Sequence, residues 1–194
     1  MTEELDEIKN VLLKLTGIAG KDLSVLDKLC TLKHYSKNDF FLRSGTTPVY
    51  SGFIVKGVFR EYYTDNNGRE FNKAFGFKGD FTGSYYDLAL GNPSTASIQA
   101  LTESSVLVIR YTEYQKLLAT DSFWLKVAYT LAHNLLLKKF EKEFQLLTLS
   151  AAGRYNLLKK QHPDLEQLVP AYHIASYLGI TPISLSRIRA QKKN

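Results

Sequence analysis

Near the C-terminus, Thr181, Ser184, Ser186, Arg187 and Arg189 put three hydroxyls and two guanidinium groups within nine residues. An arginine fork can bind guanine O6 and N7 through two parallel hydrogen bonds, and hydroxyls serve phosphates or base edges. The chemistry offered is recognition of duplex DNA. Reactive groups elsewhere are sparse. Cys30 is the single cysteine, which excludes an internal disulfide framework and any four-cysteine metal or iron–sulfur site within one chain; it reads as a small buried core residue. His34, His133, His162 and His173 lack close metal-ligand spacing, so no metal is expected. A cupin-like enzyme would need a His/Glu cluster in the central β region, where His34 is the one histidine. No nucleophile–base pair can be argued, and no catalytic residue is expected.

The arginines need a scaffold, and the surrounding residues supply one. Pro170 suits a first helical turn. Ile174, Ala175 and Leu178 follow, then Gly179, Ile180, and Thr181-Pro182 opening a second helix that bears Leu185 and Ile188. Ala175 is small where two helices would cross, Gly179 permits a tight turn, and Thr181 caps while Pro182 starts the next helix. This is a helix-turn-helix. Its apolar set leaves Ser184 and Arg187, and more obliquely Ser186 and Arg189, for an outer face. The alternative is a helical hairpin with two solvent-facing arginines.

Charge follows the same division. The 194 residues carry a net +6. Residues 150–194 hold seven basic side chains (Arg154, Lys159, Lys160, Arg187, Arg189, Lys192, Lys193) against Asp164 and Glu166, a net of +5. A near-neutral body with a basic C-terminal module fits a polyanionic partner, the alternative being a solvated basic tail. With 44% apolar and 23% charged residues the chain can bury a real core. The acidic N-terminus lacks the signature of a secretory signal, and no apolar run approaches bilayer length. A soluble, cytoplasmic protein is expected.

Upstream elements read as follows. Residues 2–32 are expected to be helical, with a break at Thr16–Gly20. Short β-branched or aromatic runs then alternate with turns: Asp39–Arg43, Gly52–Thr64, Glu70–Phe77, Thr95–Leu101 and Val106–Arg110, with a hairpin at Asp65–Gly68. They predict a compact antiparallel roll whose aromatics are mostly core. A short helix over Glu113–Ala119 precedes a long one from an Asp121 cap to Leu147. Trp124, Ala128, Leu131 and Leu135 are spaced 4-3-4, the step of a helix–helix seam. Leu125, Tyr129, Leu136, Phe140 and Phe144 lie on adjoining faces. One apolar face can cover the roll; we expect the other to meet a second copy, the alternative being a core helix in a monomer. Thr148–Gly153 is the expected hinge. The fold class is α+β: an N-terminal antiparallel β-roll with flanking helices (1–120), a long dimerisation helix (121–147) and an all-α helix-turn-helix domain (148–194).

A roll, a long helix, a hinge and a C-terminal helix-turn-helix, in that order, resemble the Crp/Fnr family of bacterial transcription regulators. The likeness covers nearly the whole chain. Its anchors are Phe53–Gly57, Asp65–Glu70, Gly79–Gly83 and Ile174–Arg189. It implies a cyclic-nucleotide-binding-like roll, a homodimer, a near-palindromic double-stranded DNA operator, and RNA polymerase as a further partner.

The departures carry information too. In cyclic-AMP-responsive members a Gly-Glu pair opens a phosphate cassette and an Arg-Ser or Arg-Thr pair stands near its end. Counted without a gap from Gly83, the Glu position holds Ser84, the Arg position holds Ser94, and the hydroxyl partner remains as Thr95. No positive side chain stands between Lys78 and Arg110. A buried phosphate without a cation or a dense donor set is costly. The same count sets Lys139 and Phe140 at the positions of the adenine-contacting hydroxyls. Cyclic AMP is therefore not expected as cofactor; Tyr85 and Tyr86 in the cassette can shape an apolar or aromatic pocket for another effector. At the DNA end, Pro182 and Ile183 replace an Arg and a Glu that read guanine-rich half-sites, so a different operator is expected. The sequence ends at Asn194 without the family's frequent β-wing, which is expected to weaken backbone contacts. The second functional reading is an effector-binding or interaction module whose helix-turn-helix no longer reads a specific sequence.

Overall fold

A computed structural model describes residues 2–191; the expectations resting on Lys192 and Lys193 lie outside the described residues. The N-terminal helix α1 (Thr2–Thr16) and short α2 (Val25–Leu29) lead into β1 (Cys30–Tyr35). Residues 30–32, expected to be helical, are therefore strand. The Leu26 and Leu29 spacing runs on into Leu32, but Cys30–Tyr35 pairs with the C-terminal strand of the roll in unbroken register, and tertiary pairing outweighs local periodicity.

The roll continues through β2 (Phe40–Leu42), β3 (Tyr50–Lys56), β4 (Phe59–Thr64), β5 (Glu70–Gly76), β6 (Phe81–Thr82), α3 (Tyr85–Leu90), β7 (Ser97–Ala100) and β8 (Ser104–Arg110). Two antiparallel four-stranded sheets result, ordered β1-β8-β3-β6 and β2-β7-β4-β5. Leu42, Phe59, Ile98 and Ala100 from one sheet meet Ile54, Val106 and Val108 from the other. The expected Gly52–Thr64 run is two strands. Gly57, at φ 89°, turns the chain between them where a Cβ would lie 2.0 Å from Ser104 Oγ. Only glycine fits that corner. The Asp65–Gly68 hairpin closes as the residue types dictate: Asp65 Oδ1 accepts from the amides of Asn67 and Arg69, each at 2.9 Å.

Helix α4 (Tyr111–Leu118) and the 27-residue α5 (Ser122–Thr148) follow. Asp121 caps α5 by accepting from Phe123 N at 2.7 Å. The first turns of α5 are apolar toward the body: Trp124 and Val127 pack with Leu5, Ile8 and Leu12 of α1 and with Val55 and Leu107 of the roll. Past Leu131 the helix leaves this core.

After α5 ends, Leu149 is extended and Ser150 starts α6 (Ala151–Gln161), capping it through Gly153 N at 3.1 Å. The Thr148–Gly153 break is also tied across the molecule. Arg154 donates to Leu149 O (2.6 Å) and to Leu178 O (2.9 Å). Short α7 (Leu165–Leu168) precedes α8 (Ala171–Leu178) and α9 (Pro182–Ala190). These helices share one core, Tyr155, Leu158, Leu165, Ile174, Leu178 and Leu185, which also takes in Val58 and Leu101 of the roll. The C-terminal helices therefore lie against the roll of their own chain. Among the described residues no helix is long and apolar enough to cross a membrane.

Candidate DNA-binding surface and ligand cavity

Helices α8 and α9 form the turn that the residue types require. Gly179 takes the left-handed conformation (φ 70°) and ends α8, Pro182 occupies the first turn of α9, and Thr181 Oγ1 accepts from Ser184 N at 3.1 Å. Leu185 is wholly buried and Ile188 half-buried against α8. The five candidate residues then separate. Ser186 and Arg187 are exposed on the outer face beside Ile183, and Arg187 makes no ion pair with a described residue. Thr181 and half-buried Ser184 are occupied with one another through the cap and a hydroxyl contact of 3.0 Å. Arg189 turns inward. It pairs with Glu166 at 2.8 Å and lies 3.4 Å from Tyr155 Oη, so it stiffens the domain instead of reaching out. Reading the outer face from residue type alone missed this, because Glu166 lies 23 positions away in sequence.

The long helix shows a similar rotation. Trp124 of the expected seam faces its own core, 4% exposed, and Ala128, Leu131 and Leu135 line a cavity beneath the helix. The free apolar stripe runs through Leu125, Tyr129, Leu136, Phe140, Phe144 and Leu147, all exposed.

That cavity, ≈ 560 Å³, lies between the roll and α5. Phe53, Phe75, Phe81, Tyr85 and Tyr114 line it together with Ile98, Leu131 and Leu135. Several aromatics expected in the roll core thus form a cavity wall, and Tyr63, Phe71, Tyr85 and Tyr86 are exposed. Of the candidate effector residues, Gly83 and Tyr85 line the cavity. Lys139 and Phe140 do not: both are exposed on the other side of α5, where the ungapped count misplaces them. Lys138 is the basic α5 residue at the cavity, and it pairs with Asp80 at 3.2 Å.

Ser84, Ser94 and Thr95 gather around a residue the sequence reading did not single out. Asp87, 1% exposed, accepts from Ser84 Oγ through Oδ2, and the same oxygen accepts from Ser94 Oγ (3.1 Å) and Thr95 N (3.3 Å). The cassette is therefore filled by the chain's own carboxylate. The Ser84 and Ser94 hydroxyls and the Thr95 amide are engaged by Asp87, and a second anion there would face that carboxylate without a cation. These residues do not fit a cyclic nucleotide.

Between cavity and helix-turn-helix lies a buried polar cluster. Arg60 on β4, 5% exposed, donates to Gln99 Oε1 through Nε (2.9 Å) and Nη2 (2.6 Å), and to Glu70 at 2.5 Å. Its Nη1 is also 3.2 Å from Nδ1 of His173 on α8. Asn72 on β5 donates to His173 O (2.9 Å), has Nδ2 3.2 Å from the same Nδ1, and its amide donates to Ser176 Oγ at 2.9 Å. With two donors facing it, Nδ1 must be an acceptor. Burial, and then the Arg60 charge, hold the His173 pKa down at about 4. Two of the other histidines stack on rings, His162 on Phe77 and His133 on Tyr129.

Residues 32–121 match the family model described as the cyclic nucleotide-binding domain. No curated protein matches the chain in sequence. Among solved structures it is similar to FixK2 from Bradyrhizobium japonicum (20% identity, 84% of each chain covered, TM-score 0.73). It is also similar to a CooA mutant from Carboxydothermus hydrogenoformans (20% identity, 94% of this chain and 84% of that one, TM-score 0.70). A third likeness is to a transcriptional regulator of the Crp/Fnr family from Eubacterium rectale (14% identity, 88% and 81%, TM-score 0.70). With two sheets, a long helix and a C-terminal helix-turn-helix, the chain has the fold of the Crp/Fnr regulators.

Proposed function

We propose that this chain is a DNA-binding transcription regulator of the Crp/Fnr type. It acts as a homodimer, and its roll does not answer to cyclic AMP. The observation that carries this reading is the outer face of α9, where Ile183, Ser186 and Arg187 stand exposed on a capped helix packed on α8. Arg187 has the reach and the free donors to read a guanine in the major groove. Dimerisation is supported by the apolar stripe on α5, since a contiguous exposed patch of this kind marks an interaction surface. Two copies joined there would present two α9 helices to the two halves of a near-palindromic operator.

The test is selection from a random duplex pool followed by mobility-shift titration at several salt concentrations. The proposal requires saturable, sequence-preferring binding that weakens steeply with salt. Weak retention indifferent to sequence would overturn it and favour an effector-binding or interaction module with a silent helix-turn-helix.

A further inference from the structure

We infer that the cavity beneath α5 binds an uncharged, largely apolar small molecule, aromatic in at least one part. The inference rests on reading the roll as an effector domain. At ≈ 560 Å³ the cavity has the volume of a small-molecule site. Its walls are mainly rings and aliphatic side chains, and edge-to-face and offset contacts to Phe53, Phe75, Phe81 and Tyr85 favour a planar apolar partner.

Charge sets the rest. Two cations line the cavity, Arg60 and Lys138, against three carboxylates, Glu61, Asp80 and Glu141. Arg60 is committed to Gln99 and Glu70, and Lys138 to Asp80. Glu61 is in turn neutralised by Lys73 at 2.5 Å. An anionic ligand would meet excess acid and no free cation, and the cassette beside the cavity already holds Asp87. The cost of desolvating a charge without a partner excludes phosphates and carboxylates from this cavity, while burying an apolar ring there gains from each surface removed from water.

The full chain is titrated with N-phenyl-1-naphthylamine, an uncharged probe whose fluorescence rises in apolar surroundings. Saturable binding of one probe per protomer is expected, undisturbed by a hundredfold excess of cyclic AMP. Ala74→Trp, which fills the cavity from β5, is expected to lower affinity at least tenfold, with a melting curve confirming that the variant folds. Tyr85→Glu sets a carboxylate at a half-exposed position on the cavity wall, where folding is not at stake, and is expected to lower affinity several-fold. No saturable binding, displacement by cyclic AMP, or unchanged affinity in both variants (the probe then sitting on the α5 stripe) would overturn the inference. Probe binding without sequence-preferring DNA binding refutes the regulator reading alone; the reverse pattern refutes the ligand class alone.

Discussion

His173 makes the attachment of α8 to the roll sensitive to acid, and the size of the effect follows from its surroundings. Its Nδ1 is met by N–H donors from Arg60 and Asn72, both at 3.2 Å, and the Glu70 carboxylate on Arg60 only partly offsets the guanidinium charge. A proton on Nδ1 would oppose both donors, so the folded ring stays neutral down to about pH 4. In the unfolded chain the imidazole takes up its proton near its ordinary 6.5. Above pH 6.5 both states are neutral and the latch is at full strength. As pH falls from 6.5 toward 4 the unfolded state binds the additional proton, and stability declines. At about 1.4 kcal/mol per pH unit the whole interval is worth up to about 3 kcal/mol, and the step from pH 7.5 to 5 about 2 kcal/mol. Carboxylates elsewhere also lower stability in acid, so the informative quantity is a difference. His173→Asn keeps an acceptor oxygen at the position of Nδ1 and cannot take up a proton in this range. Urea unfolding at pH 7.5 and 5 is expected to show the unsubstituted chain losing about 2 kcal/mol more than the variant. An equal loss in both, or an imidazole resonance of His173 that titrates near 6.5 in the folded protein, would refute the reasoning.

Four other outcomes are expected. Arg187→Ala should weaken binding to a selected operator by about 1–3 kcal/mol and relax preference at one base pair per half-site in mobility shifts. Arg189→Ala should leave that preference unchanged and lower the melting temperature slightly, because a partly exposed ion pair is worth about 1 kcal/mol or less. Asp87→Ala leaves the buried Ser84 hydroxyl without its acceptor and removes one from Ser94, which keeps Ala96 O, and should cost about 1–3 kcal/mol in urea unfolding, whereas Asp87→Asn, which keeps an acceptor oxygen, should cost clearly less. Phe140→Glu places a charge in the exposed stripe of α5 and should convert the proposed dimer to monomer in sedimentation; a monomeric parent chain, or an unaltered dimer in the variant, would count against dimerisation through that face.

Local chemistry was legible wherever the structure is local. Thr181, Pro182 and Gly179 fix the turn between α8 and α9 within a few residues, Asp121 caps α5 two residues from its partner amide, and Asp65 closes its hairpin over four. Long-range placement was not legible. The periodicity of α5 identified two apolar faces and gave Trp124, Ala128, Leu131 and Leu135 to the dimer seam, yet that face turns inward; which one does so depends on Leu5, Ile8 and Leu12 of a helix more than a hundred residues earlier. Arg189, expected obliquely on the outer face, turns inward because the fold of α6 and α7 brings Glu166 to it. Asp87 drew no notice, since an acid in the first turn of a short helix ordinarily faces water. It is buried here because Ser84 and Ser94, three and seven residues away, fold back over it. The absence of cassette cations, by contrast, was plain in the sequence, and Asp87 supplies its structural counterpart.

Arg60 and Phe75 give the cavity and the helix-turn-helix a common wall. Both line the cavity; on the α8 side Arg60 meets His173 at 3.2 Å and Phe75 packs against Tyr177, ring centroids 5.2 Å apart. A molecule that displaced the Arg60 guanidinium would remove one of the two donors holding the His173 acceptor, while one that left it in place and filled the space beside Phe75 would press on the seat of Tyr177. Neither event needs a change in α5. Under the proposed function, a ligand's effect on DNA binding would therefore pass through β4 and β5 to α8. Its sign would depend on whether the ligand favours or disfavours the docked position, since a ligand shifts an equilibrium only by its difference in affinity for the two states. Arg60 and Phe75 on β4 and β5 matter here as much as the long helix, because they touch both the cavity and α8.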